Sequence, residues 1–131
     1  MRRMQAPRVL IVSPEQWPRA LLRAELLEAG YDAIGSPTLS AALRYPSAAA
    51  GRGPVRLIIV DQVVVEREAS EVLERLVSQH AASGRFLLAR SSGAVPAGDW
   101  DAVLRRPLSV GQIVEAVRRV LPIPYGSDQS E

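Results

Sequence analysis

Two short stretches constrain this chain more than any others. Residues 9–12 read VLIV and residues 55–61 read VRLIIVD. These runs of branched apolar residues, the second interrupted by Arg56 and ended by Asp61, and bounded by Pro7-Arg8 and Ser13-Pro14 in one case and by Gly53-Pro54 in the other, are too short to cross a membrane. They read as strands buried on both faces, the pattern of a parallel sheet. Such a sheet needs a layer of helices on each side.

The segments between supply those helices. Glu15–Ala29 carries Leu21, Leu22, Leu26 and Leu27 at helical spacing, and Gly30 stands where a helix stops. Tyr31–Gly35 follows as a short strand. Thr38–Ala50 is a weaker helix with Leu39, Ala42 and Leu43 on one face, and Pro46 ends or bends it. Glu66–Ser83 is predicted to be a helix, with Val72, Leu73, Leu76 and Val77 inward. Arg85–Ala89 and Asp101–Arg105 complete the strands. Ser109 and Gln112 form a capping-box pattern that opens a last helix running to about Leu121. Strand and helix alternate, so the crossovers are right-handed and helices cover both faces. The strand ends at Ser13, Asp61, Arg90 and Arg106 then gather at one edge, where open α/β sheets bind ligands.

Composition removes several kinds of chemistry. The chain has no cysteine, so it has neither disulfides nor thiolate chemistry, which suits a reducing cytoplasm. All 16 basic residues are arginine, and no site can use a lysine amine. The net charge is +2, with arginines interleaved among acids as in Glu66-Arg67-Glu68; no basic stripe points to nucleic acid. No signal peptide or membrane span is read, and no glycine-rich phosphate loop occurs. The single histidine, His80, reads as a solvated residue near a helix C-terminus. The boundaries read as an arm over 1–6, a domain over 7–121 and a polar tail over 122–131.

In order and spacing, these landmarks resemble the receiver domain of response regulators, the phospho-acceptor module of two-component signalling. GYDAIGSPTLSAAL (30–43) looks like that family's second strand and following helix. LIIVDQ (57–62) looks like its third strand, which puts Asp61 at the phospho-acceptor position. RRPLS (105–109) looks like its fifth strand end, with Arg106 in place of the lysine and Pro107 in place of the cis-proline. The resemblance implies a flavodoxin-like, doubly wound α/β fold with five parallel strands in the order 2-1-3-4-5. Only ten residues, SSGAVPAGDW (91–100), lie where the family has its fourth helix. They contain Gly93, Pro96 and Gly98, so that helix is expected to be shortened or absent.

The family's reactive groups are mostly missing. Its first strand ends in an acidic pair that holds Mg²⁺; here those positions are Ser13 and Pro14. Its fourth strand ends in a threonine or serine; here Arg90 stands there, with Ser91 one step beyond. Asp61 alone is a poor magnesium cage, and Asp61 is expected to pair with Arg106 first and Arg90 second. The resemblance thus implies a degenerate receiver: a vestigial phospho-acceptor site with no catalytic residue, no metal and no cofactor. Its role would be phosphorylation-independent binding to another signalling protein or to a second copy. Trp100 and Arg118 are candidate contact residues. Two alternatives stay open: a receiver still phosphorylated at Asp61, and a small-ligand binder on the same fold, which a deep apolar pocket at the sheet edge would favour.

Overall fold

The computed structural model describes residues 6–49 and 51–123. The polar tail and the arm therefore lie largely outside the described residues. Five parallel strands make the central sheet: β1 (Arg8–Val12), β2 (Asp32–Ser36), β3 (Gly53–Asp61), β4 (Gly84–Ala89) and β5 (Ala102–Arg105), in the order β2-β1-β3-β4-β5. A two-residue segment, Ala48–Ala49, pairs antiparallel with the start of β3. The helices are α1 (Gln16–Glu28), α2 (Leu39–Ala42), α3 (Gln62–Arg67), α4 (Ser70–Gln79) and α5 (Val110–Val120).

Side-chain alternation along the strands divides the core in two. Val9 and Ile11 of β1 and Leu57 and Ile59 of β3 face α1 and α5, where Leu22, Leu26, Ile113 and Val117 meet them. Leu10, Val12, Ile58 and Val60 face the other way, onto Leu39 of α2, Val64 of α3 and Leu76 of α4. Every residue of β1 is buried, as its unbroken apolar run requires. In register, Leu10 lies between Ile34 and Ile58, so the sheet is apolar straight across its middle. Gly30 has φ 106°, which an L-residue rarely adopts, and it turns the chain from α1 into β2. The Ser109–Gln112 capping box forms as the sequence indicates.

Three elements depart from expectation. The helix predicted over 38–50 is a single turn, Leu39–Ala42. The helix predicted over 66–83 starts earlier, at Gln62, and breaks at Glu68, whose backbone is extended (φ −109°, ψ 158°). Pro46 limits the first helix, and a contact with α2 accompanies the break in the second. The Glu68 carboxylate reaches across to the start of α2 and accepts hydrogen bonds from the backbone N–H groups of Leu39 (2.7 Å) and Ser40 (3.0 Å) and from the Ser40 hydroxyl (2.8 Å). Caps on the orphan donors of one helix offset the break in the other. Third, His80 is buried, not solvated: it is 3% exposed and caps the C-terminal end of α4. The Ser83 N–H donates to the His80 carbonyl (2.9 Å), closing the turn that follows α4.

No helix forms between β4 and β5. Residues 90–101 instead fold back as a loop. The Trp100 indole is half-buried against the α4-side core and donates from Nε1 to the Pro96 carbonyl (3.0 Å). Arg105 holds the loop from the strand side by donating to the carbonyls of Arg90 (3.3 Å) and Gly93 (3.0 Å). Asp101 accepts from the Arg85 N–H (2.7 Å).

Candidate functional site

β1, β3 and β4 end at the same edge of the sheet, and the residues following them form the site. Asp61 is the last residue of β3 and also the N-cap of α3, so one residue closes the strand and opens the helix. It is 5% exposed. A carboxylate that deep needs partners for both oxygens, and it has them. Oδ1 accepts the N–H of Val63 at 3.0 Å. Oδ2 accepts from Arg106 Nη2 at 2.8 Å and, more weakly, from the Ser13 hydroxyl at 3.4 Å.

Arg106 comes in from the β5 end. Its peptide bond to Pro107 is cis, the geometry implied at that position. The side chain is 42% exposed, and Nη1 also donates to the carbonyl of Leu88 (3.3 Å). The sequence-based pairing of Asp61 with Arg106 is therefore present. Pairing with Arg90 is not. Arg90 turns away and forms an ion pair with Glu66 of α3, whose carboxyl is held below its ordinary pKa chiefly by that hydrogen bond. Ser91 is exposed, as is Glu15 at the N-cap of α1. Ser13 is buried and Pro14 half-buried.

Gln62 was not singled out by its sequence context, yet it organises this edge. Buried beside Asp61, it accepts the Arg90 N–H on Oε1 (2.9 Å) and donates from Nε2 to Glu66 (3.0 Å) and to the Ala94 carbonyl (3.4 Å). It ties the 90–101 loop to the strand that carries Asp61. The spacing of Gln62 and Glu66, four apart on one helix, is the only trace of this in the sequence. Arg19 was likewise missed; it donates from α1 to the Ser13 carbonyl at 2.7 Å.

This donor set does not suit Mg²⁺. Among the described residues there is no group of three His, Asp or Glu side chains able to hold a metal. Among the described residues Asp61 is the one carboxylate that ends a strand, and the Arg106 guanidinium already holds its Oδ2. Magnesium needs near-octahedral oxygen ligands, usually more than one carboxylate.

No protein-family model matches the chain, and no curated protein matches it. Solved structures do. One is a response regulator receiver domain protein from Bacillus halodurans, 19% identical, covering 91% of this chain and 100% of that one with a TM-score of 0.69. A second is the signal receiver domain of an HD domain-containing protein from Pseudomonas fluorescens, 21% identical, covering 97% and 100%, TM-score 0.67. A third is a receiver domain protein from Methanospirillum hungatei, 17% identical, covering 89% and 94%, TM-score 0.67.

The fold is that of a receiver domain.

The strand order β2-β1-β3-β4-β5 is the one that fold requires. Among the described residues, no helix is long and apolar enough to cross a membrane.

Proposed function

We propose that this receiver fold signals by binding and that Asp61 no longer accepts a phosphoryl group. The observation that carries the reading is the state of the Asp61 carboxylate. Phosphorylation needs one of its oxygens to attack, a metal to neutralise the incoming charge, and room for the phosphoryl group. Here one oxygen caps α3 and the other is held by Arg106 and Ser13. Ser13 and Pro14 stand where two acids would complete a metal site. The carboxylate has become a structural joint between β3, α3 and the β5 end.

The partner would meet the side of the molecule that differs from the receiver pattern: the 90–101 loop, β5 and α5. Among the described residues β5 is an edge strand paired only with β4, and Val103 stands 38% exposed on it. Trp100, on the adjoining loop, is half-buried against the α4-side core. Arg118 lies exposed on α5, paired with Glu115 (3.5 Å). Cytoplasmic signalling through a second copy or another signalling protein fits this arrangement.

The test is incubation with a small-molecule acyl phosphate and Mg²⁺, followed by intact-mass measurement. No phosphoryl adduct is expected. A stoichiometric adduct that Asp61→Asn abolishes would restore the phosphorylatable alternative. Sedimentation of wild type, Val103→Glu and Arg118→Glu separately tests the surface; if self-association and partner capture are unchanged in both, the interface lies elsewhere.

A further inference from the structure

A cleft of about 240 Å³ opens between α1 and α5 at the same edge of the sheet, beside Asp61 rather than over it. Its floor is apolar, built by Leu22, Leu88 and Ile113, with Leu108 and Val110 as the α5-side wall. Its mouth carries Glu15, Arg19 and Arg106, and the buried Ser13 also lines it. An apolar floor with a few convergent polar groups is the usual form of a small-molecule site.

The charges at the mouth are unequal in their commitments. Arg106 is matched by Asp61. Arg19 is half-buried, donates to the Ser13 carbonyl, and forms no ion pair with a carboxylate among the described residues. Glu15 is exposed, where water and salt screen it. A partly desolvated guanidinium without a counter-ion attracts an anion, and its planar fork matches a carboxylate.

We propose that this cleft binds a small organic carboxylate with a compact apolar body. The carboxylate sits on Arg19 and the spare N–H groups of Arg106, and the body packs against Leu22, Leu108 and Val110. The cleft is smaller than the ~300–1,000 Å³ of sites for drug-sized ligands, so the occupant is about the size of one ring or a short acyl chain. Affinity for a simple probe is expected in the range of about 0.1–1 mM. The acyl phosphate experiment reads Asp61 and this one reads Arg19 in the unmodified protein, so the two fail separately.

Benzoate is a suitable probe, titrated into the ¹⁵N-labelled protein while amide shifts are followed. Saturable shifts are expected to concentrate in α1, α5 and residues 106–110. Benzylamine and inorganic phosphate, titrated in parallel, are expected not to saturate in the same range. Arg19→Gln is expected to weaken benzoate by about tenfold or more, Val110→Trp to abolish it by filling the wall, and Glu15→Gln to tighten it. If Val110→Trp fails to fold, the Arg19 variant and the two control ligands decide. The proposal is overturned if benzoate gives no saturable shift up to about 10 mM, if Arg19→Gln binds it unchanged, if Glu15→Gln weakens it, or if benzylamine or phosphate binds equally well.

Discussion

Arg106 and Asp61 meet at 2.8 Å across 45 residues of sequence, joining the end of β5 to the end of β3. The pair is unequal: the carboxylate is nearly buried and the guanidinium is close to half-exposed. Removing the arginine leaves a buried charge with weaker partners, whereas neutralising the acid leaves an arginine that water can solvate.

From that asymmetry, Arg106→Ala should destabilise more than Asp61→Asn. The first is expected to cost about 1–2 kcal/mol, below the figure for a fully buried pair because water can reach the vacated space. The second is expected to cost about 1 kcal/mol or less, since asparagine still caps α3. Urea unfolding of both variants measures the order. The reverse order would mean that Asp61 is held mainly by the α3 cap and Ser13.

Replacing Ser13 and Pro14 together by aspartate should create a metal-dependent protein. Two new carboxylates beside Asp61 repel it, so the variant should melt below wild type without metal. Adding Mg²⁺ at millimolar levels should raise its Tm, as binding to the folded state alone must. Wild type should show no such rise. A variant indifferent to Mg²⁺ would show that Arg106 blocks the site even when the acids are supplied.

Gln62→Leu should loosen the 90–101 loop with little effect on the sheet. The Arg90 N–H loses its acceptor and the Ala94 carbonyl its donor, at a cost of about 1–3 kcal/mol. Hydrogen exchange at Arg90 should accelerate more than exchange within β1. Uniform acceleration would assign Gln62 to global stability instead.

Glu68→Ala should expose the start of α2. Leu39 and Ser40 lose a charged acceptor for their N–H groups, and the expected cost is about 1–2 kcal/mol. The amides of residues 39 and 40 should exchange faster, while Thr38 continues to cap Ala41. Unchanged protection at these two amides would remove Glu68 as the cause of the break between α3 and α4.

His80 should make stability fall on mild acidification. Burial, and secondly the positive charge of Arg8, hold its folded pKa below the ordinary 6.5. Below pH about 6.5 the unfolded chain therefore binds a proton that the folded chain refuses, so stability is complete above that pH and declines as pH falls toward the folded pKa. Urea midpoints between pH 5 and 7.5 should decline on the acid side in wild type and decline less in His80→Gln. Equal slopes would show that His80 does not titrate differently in the two states.

The sequence by itself determined the sheet. VLIV and LIIV can be satisfied only by burial on both faces, and the helical spacings between them leave little choice of layers. Asp61, Arg106 and Pro107 were legible for the same reason: each follows directly from the end of a strand. The places of Ser13 and Pro14 directly after β1 were legible too, because a strand's last residues cannot move without shifting its register. What only the tertiary structure decided were contacts between elements distant in the chain. The break at Glu68 makes sense only once α2 is seen to lie within reach of its carboxylate. Arg90 could have met Asp61 or Glu66, and the path of the loop after β4 chose Glu66. His80 looked like a surface residue because local spacing says nothing about what lies beneath a helix end. The cleft holding Arg19 and Arg106 exists only where α1, β4 and α5 converge, and side-chain packing across three separate segments is information no local pattern carries.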